Sequence, residues 1–273
     1  MTVLVTGATG TVGRHVVDAL LAAGAPVRAL TRNPATANLP EGVEVIAGDL
    51  AVPGTLEAAF DGVEAVHLIN FAGDDYQPLT EGDKIVELAV RAGVRRVTVL
   101  GGRADGPLEA ALAATDLEWT LLNPVEFMSN TSKWWADTVR QGETIKEPFG
   151  GRLSAMIHEA DIAAVSATVL IEGGHGGQTY TLTGPKAITT TEKARILSEA
   201  IGAPVSFTEL TEEQARAKWA SEGMGQEIIE FLVGALGNTP EIGYTVVDTV
   251  ERVTGRPARP FAQWAKENAA SFR

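Results

Sequence analysis

Thr6-Gly7-Ala8-Thr9-Gly10-Thr11-Val12-Gly13 is the stretch on which the fold turns. It follows the run Val3-Leu4-Val5 and leads into Val12, Val16, Ala19, Leu20 and Ala23, apolar residues at helical spacing that stop at Gly24. A strand, a glycine loop and a helix in that order make a cradle for an anion. Gly7 permits the tight strand-to-helix turn, Gly10 lets the backbone approach a diphosphate, and Gly13 allows the helix to pack closely on the strand. Helix amides and the positive end of the helix dipole then face the anion. The spacing is Gly-x-x-Gly-x-x-Gly rather than Gly-x-Gly-x-x-Gly. The context still reads as a dinucleotide site, against the plainer alternative of a glycine-rich turn without a ligand.

Outward from the loop, short β-branched runs alternate with helical patterns. Residues 27–31 and 43–46 read as strands, 53–60 as a short helix, 63–69 as a strand, 85–92 as a helix stopped by Gly93, and 97–100 and 119–122 as two more strands. This alternation predicts an α/β fold, a Rossmann-type doubly wound parallel sheet with helices on both faces. After about residue 125 helical segments dominate (159–171, 190–201, 211–222, 226–236 and 261–270), with short strands at 180–182 and 205–207. The expected organisation is a dinucleotide-binding domain over residues 1–150 and a smaller, mostly helical substrate lobe over 151–273. The two are expected to share one cleft.

Composition narrows the function. The 273 residues carry 22 Lys+Arg against 35 Asp+Glu, a formal net charge of −13, with 45% hydrophobic and 21% charged residues. That is a globular composition, long enough for one large domain or two small ones at ~150 residues each. No cluster of basic residues offers a nucleic-acid footprint. The absence of Cys excludes disulfides, thiol chemistry and thiolate metal sites. No basic segment precedes the first strand and no uncharged apolar stretch approaches ~20 residues, so no signal peptide or membrane span is expected. The chain reads as soluble and cytoplasmic.

The end of the second strand addresses the choice of cofactor. A carboxylate there would bond the ribose hydroxyls of NAD(H), whereas an Arg would receive a 2′-phosphate. The chain has Thr31-Arg32-Asn33, which favours NADP(H), the alternative being an Arg32 that is merely solvated. Asp49, in Gly48-Asp49-Leu50, either accepts from an adenine amino group or caps the following helix. In Ile69-Asn70-Phe71 the residues Asn70 and Phe71 are placed to border ribose and nicotinamide, with a core role for Phe71 as the alternative.

A search for acid–base machinery returns mostly absences. The residues four after Tyr76, Tyr180 and Tyr244 are Thr80, Gly184 and Asp248, so there is no Tyr-x-x-x-Lys pair. No His-Glu-x-x-His, Gly-x-Ser-x-Gly or Gly-Lys-Ser/Thr sequence occurs. His15 and His67 read as structural, His67 as a satisfied core imidazole, and His158 as a candidate for the cleft next to Asp161, itself a cap or acceptor. Phe71, Phe127, Met128, Trp134 and His158 are the candidate substrate pocket, with Trp135 beside them. For the two Trp residues the alternative is packing between lobes.

Taken together, these segments resemble the NmrA-like atypical short-chain dehydrogenase/reductases, in particular their NAD(P)H:quinone oxidoreductase-like and triphenylmethane reductase-like members. The carriers are the glycine loop, Val27 to Pro34, Gly48-Asp49-Leu50 and Leu117-Glu118-Trp119-Thr120-Leu121-Leu122-Asn123-Pro124. Also matching are His158-Glu159-Ala160-Asp161-Ile162-Ala163, Tyr180 to Pro185 and Phe261-Ala262-Gln263-Trp264-Ala265. The resemblance implies that Gly7, Thr9, Gly10, Thr11 and Val12 contact the pyrophosphate, with Ala8 and Gly13 completing the cofactor-binding loop, that Arg32 meets the 2′-phosphate, and that Asp49 with Leu50 meets the adenine. Asn70, Phe71, Pro124 and Val125 would then lie beside the nicotinamide, with Ile69 also counted among the cofactor-binding residues. Two departures stand out: Leu100-Gly101-Gly102 ends a strand where relatives carry Ser or Thr, and Asn123-Pro124 replaces Arg-Pro. The expectation is an NADPH-dependent oxidoreductase that positions a small planar acceptor (a quinone, an enone or a similar aromatic) and has no Tyr/Lys relay. A non-enzymatic NADP(H)-sensing regulator and a biosynthetic reductase or isomerase of a polyketide-like aromatic are the alternatives.

Overall fold

A computed structural model describes residues 1–72, 77–101 and 105–273; Tyr76 and Gly102, named above, lie outside the described residues. Along the chain the elements are β1 (Thr2–Val5), α1 (Gly13–Ala22), β2 (Val27–Thr31), β3 (Glu44–Ala47), α2 (Glu57–Phe60), β4 (Val63–Ile69), α3 (Gly82–Ala92), β5 (Arg96–Leu100) and α4 (Pro107–Ala113). Then come β6 (Glu118–Pro124), α5 (Asn130–Arg140), β7 (Ile145–Pro148), α6 (Glu159–Glu172), β8 (Thr179–Leu182), α7 (Thr190–Ile201), β9 (Phe207–Leu210), α8 (Glu212–Ser221), α9 (Gln226–Gly237), α10 (Thr249–Thr254) and α11 (Phe261–Glu267). The helix expected over 53–60 is split into a 3₁₀ turn, Pro53–Thr55, and the single turn of α2. The last expected helix likewise breaks after Glu267 into a 3₁₀ turn over Ala269–Phe272.

Contacts divide the chain into two compact units, and neither is a single stretch. The first holds Met1–Pro124, Glu159–Leu182 and Thr249–Arg256; the second holds Val125–His158, Thr183–Asp248 and Pro257–Arg273.

The first unit is built on a seven-stranded sheet in the order β8-β6-β5-β4-β1-β2-β3, with every pairing parallel. Its first six strands follow the Rossmann order, and the order reverses at β1, where the glycine loop leaves the sheet. β4 is central: all its residues except Glu64 and Ile69 are buried, which suits a strand covered on both faces. Thr6 carries the register past the end of β1. Its Oγ1 donates to His67 O (2.9 Å) and accepts from Ile69 N (3.1 Å), so the loop starts from a fixed point. β8, read above as part of the smaller lobe, is instead the edge strand beside β6. α6 also belongs to this unit and packs on α1; its buried residues lie on nearly every face, as a helix inside the core requires.

In the second unit β7 and β9 form a parallel pair, and Leu153–Ser154 pairs antiparallel with Ile188–Thr189. The expected strand at 205–207 is displaced to β9, where pairing with β7 fixes the register. Its core gathers Met128, Trp135, Met156, Ile188, Leu197, Phe261, Trp264 and Phe272. A smaller cluster of Ala215, Trp219 and Ile229 lies between α8 and α9. α7 and α8 each open with a full capping box, Thr189 with Glu192 and Thr211 with Gln214.

Candidate functional site

The glycine loop is shaped by three close approaches. Gly7 has φ +59°, and a Cβ on it would meet Ile69 Cδ1 at 3.2 Å. Gly10 donates its N–H to Gly7 O at 2.8 Å. Gly13 is the tightest, because a Cβ there would lie 2.1 Å from Gly7 O and 2.9 Å from Ala8 Cα. The helix therefore packs on the loop itself, and the strand is not what demands the third glycine. Ala8 and Val12 are buried and anchor the loop from below, while Gly10 and Thr11 are exposed.

Arg14, which the sequence reading passed over, ties this loop to its neighbour. Its Nε donates to Thr9 O (2.9 Å), Nη1 to Asn38 O (3.0 Å) and Nη2 to Ala37 O (3.2 Å). All three partners are backbone carbonyls, and Asn38 is one of two non-glycine residues of positive φ among those described. No local pattern marks an Arg whose partners are 24 residues away.

Beside the loop is an open cavity of about 330 Å³. Gly7, Thr9 and Gly10 form one wall; Thr31, Arg32 and Asn33 close the end of β2; Gly48, Asp49 and Leu50 follow β3; Ile69 and Phe71 follow β4. Four expected clusters from separate strands thus meet at the carboxyl ends of β1, β2, β3 and β4, where open parallel sheets bind ligands. Asp49 does not cap the helix that follows. Its Oδ1 accepts from Ala51 N at 2.9 Å, an Asx turn that holds the carboxylate at the cavity edge.

Other expected residues lie elsewhere. The Asn70 side chain is turned aside, its Nδ2 donating to the buried Glu109 Oε1 at 2.8 Å. Gly101 makes room for this amide, since a Cβ there would fall 2.1 Å from Asn70 Nδ2 and the Asn70 side chain would have to move. Pro124 ends β6 opposite Leu182, and Val125 opens the second unit; neither lines the cavity beside the loop. Phe127 bridges to Ile157. His158 is buried and contacts Glu267 Oε2 at 2.9 Å. Trp135 is buried and donates from Nε1 to Glu147 Oε1 at 2.6 Å, whereas Trp134 is 45% exposed. Met128 lines a separate apolar cavity within the second unit.

Two buried titratable groups have no counterpart in the expected site. His67 is fully buried on β4, its Nδ1 within 2.9 Å of both Thr98 Oγ1 and Ser166 Oγ, and Nε2 has no partner among the described residues. Burial lowers its pKa to about 4, so the imidazole is neutral near pH 7. In the second unit Lys193 is buried with Nζ 4.0 Å from the Trp135 ring centroid. Burial pushes its pKa down, and Glu126 and Glu147 oppose the shift. For Glu126 burial works against the charge, but Lys193 and Arg152 outweigh it and hold the carboxyl below its ordinary value. Arg152 Nη1 reaches Glu126 Oε2 at 2.9 Å.

The likeness to known proteins follows the same lines. Residues 1–99 match the NmrA-like family. The chain is 35% identical over 284 residues to a (4-alkanoyl-5-oxo-2,5-dihydrofuran-3-yl)methyl phosphate reductase of Streptomyces griseus, covering 99% of each. It is also 35% identical over 286 residues to an NAD(P)H azoreductase of Xenophilus azovorans, again over 99% of each. Among solved structures, an Escherichia coli NADPH-dependent quinone oxidoreductase complexed with NADPH superimposes with TM-score 0.79 at 26% identity, over 97% of this chain and 99% of that one. The triphenylmethane reductase of Citrobacter sp. gives TM-score 0.81 at 25% identity, over 99% of this chain and 100% of that one.

Proposed function

The chain belongs to the NmrA-like family and is an oxidoreductase of that family; on that premise we propose that it transfers a hydride from NADPH to a small, planar, electron-poor acceptor. The carrying observation is the cavity beside the glycine loop, with Arg32 at its β2 end. The residues present suit a dinucleotide. Gly7 and Gly10 present bare backbone to the cavity, Gly13 lets α1 pack close enough to hold the loop in that shape, and Thr9, Thr11 and Val12 extend the backbone edge toward a diphosphate. Arg32 matches a 2′-phosphate by charge and by the fork of its guanidinium, and no carboxylate stands at the end of β2 to favour a bare ribose. Asp49 and Leu50 supply an acceptor and an apolar face for adenine, and Ile69 and Phe71 border the ring beyond.

When bound, the cofactor supplies the hydride. The protein's share is orientation and exclusion of water, which alone can account for a large part of a rate enhancement. An azo bond, a quinone and an unsaturated lactone bearing an alkanoyl group are all conjugated acceptors that delocalise the charge a hydride brings. Such acceptors need little acid assistance, in keeping with the missing Tyr/Lys pair.

The test is NADPH oxidation followed at saturating cofactor against quinones, unsaturated lactones and azo dyes, with NADPH and NADH affinities measured alongside. Turnover of at least one class is expected. In Arg32→Ala, NADPH affinity should fall about tenfold or more while NADH affinity holds. Tight NADPH binding with no acceptor reduced would overturn the hydride reading in favour of a cofactor sensor. Equal losses for both cofactors would remove the 2′-phosphate role from Arg32.

A further inference from the structure

The second unit contains an apolar cavity of about 180 Å³ that the cofactor reading does not use. Its main walls are Met128, Met156, Ile188, Ile196 and Phe261. They come from four separate stretches of chain, and three of these are held by contacts that need no ligand. Met128 N donates to Ile157 O at 3.0 Å, and Ile188 sits in a backbone ladder opposite Ser154. The Phe261 ring stacks on buried Trp264, centroids 5.5 Å apart and planes at 17°. The cavity is therefore a built feature of the core edge. Pro185 and Pro260 also line it, and neither has an N–H to offer a polar ligand. Lys186 is the one charged residue in the lining, and its Nζ is drawn to Glu192 Oε1 at 3.6 Å.

Size and chemistry together define the occupant. An enclosed apolar cavity of roughly 150 Å³ lined by Leu, Ile and Phe takes up benzene; this one has a comparable volume and an apolar floor of Met128, Met156, Ile188 and Phe261, but it opens to solvent at Pro185, Lys186, Pro260 and Ala262. Whole drug-sized ligands need about 300 Å³ or more. Two thioethers and an aromatic face favour a flat ring over a branched chain, because sulfur–aromatic contacts are attractive and Met side chains adapt to the shape of the guest. Pro185 and Pro260 offer no N–H, and the Lys186 ammonium is drawn toward Glu192, so the lining disfavours a charged or strongly hydrogen-bonding guest.

We propose that this cavity is a binding site for a neutral, single-ring aromatic group. The proposal is independent of hydride transfer, since a plain hydrocarbon ring cannot accept a hydride and needs no cofactor to bind.

The test uses the full chain carrying ¹³C-methyl methionine and titrates it with toluene, with benzoate as the charged counterpart. The four methionines provide their own control: Met128 and Met156 line the cavity, while Met1 and Met224 are 37% and 36% exposed. The expected result is saturable movement of the Met128 and Met156 signals alone, with benzoate at least tenfold weaker. Ala262→Phe, at an exposed residue of the lining, should raise the toluene dissociation constant at least tenfold. Ile196→Trp, narrowing the cavity from α7, should do the same if the first variant disturbs the fold. No movement at saturating toluene, parallel movement of Met224, or undiminished binding in a folded plugged variant would overturn the proposal. Benzoate binding as tightly as toluene would overturn its restriction to neutral rings.

Discussion

The two cavities are built in opposite ways. The one in the first unit is walled largely by backbone, glycines and short polar side chains, drawn from the ends of successive strands. The one in the second unit is walled by long apolar side chains from stretches far apart in the chain. A backbone wall tolerates almost no added atom, because the atoms that must give way cannot rotate aside. A side-chain wall adjusts by rotamer, so the weak point of the second unit lies outside that lining, at the buried Lys193 and its carboxylate partners. The contrast predicts different failures: loss of ligand grip for changes in the glycine loop of the first unit, and loss of stability with that loop cavity intact for changes among the buried charges of the second.

The largest expected effect is on the second unit. Lys193→Met removes a buried cation from beside Trp135 and takes a positive neighbour from both Glu126, which keeps Arg152, and Glu147. Breaking a buried charge set by removing one member typically costs 3–5 kcal/mol. Urea unfolding should lose about 4 kcal/mol, while NADPH affinity under native conditions stays within about twofold. A neutral outcome would mean that Lys193 is already uncharged in the folded protein.

The first unit has its own buried group, His67. The folded chain keeps this imidazole neutral down to about pH 4, whereas an exposed one takes a proton near 6.5. Acid therefore favours the unfolded chain across that window. The stabilising contribution is whole above about 6.5 and is lost as pH falls toward 4, a difference of about 3 kcal/mol. His67→Phe costs stability at pH 7 but should flatten the decline between pH 6.5 and 4.5, as read from urea unfolding at a series of pH values. Thr98 and Ser166 can then still bond each other, their hydroxyls being 2.9 Å apart. An unchanged slope would show that His67 gains its proton without unfolding.

What the sequence disclosed follows the same division. The glycine loop, Arg32, Asp49, Leu50 and the ends of β1 to β4 were legible because each is a local pattern whose neighbours in space are strand ends in a regular topology. Met128 was singled out without the company it keeps, since Met156, Ile188 and Phe261 share no spacing with it. Asn70 was read as facing the cofactor because its place at the end of β4 suggested so; only Glu109, on a helix 39 residues later, shows its amide turned away. β8 looked like part of the lobe because its neighbours in the chain are helices, yet pairing with β6 places it in the main sheet.

Gly13→Ala then tests the backbone wall directly. The new Cβ would fall 2.1 Å from Gly7 O, so either α1 slides or the loop shifts. Overpacking of this kind costs about 1–3 kcal/mol. With the loop absorbing most of it, affinity for NADPH and NADH should fall by on the order of 100-fold, the equivalent of about 2.7 kcal/mol. Wild-type affinity would show that the loop has room that its geometry denies.

Arg14→Ala is the mildest of these changes and separates shape from charge. In this structure the guanidinium touches three backbone carbonyls, of Thr9, Ala37 and Asn38, and thereby sets the spacing between the glycine loop and the segment after β2. Two of the three bonds are at exposed positions, so the freed carbonyls return to water and the net loss is about 1 kcal/mol, roughly a fivefold weaker cofactor grip. A residue that only shapes the cavity weakens both cofactors alike, whereas one that meets the 2′-phosphate weakens NADPH alone. Parallel losses in Arg14→Ala beside a selective loss in Arg32→Ala would assign geometry to the first arginine and charge recognition to the second. A selective loss in Arg14→Ala would reverse the assignment and give the helix, rather than the end of β2, the phosphate.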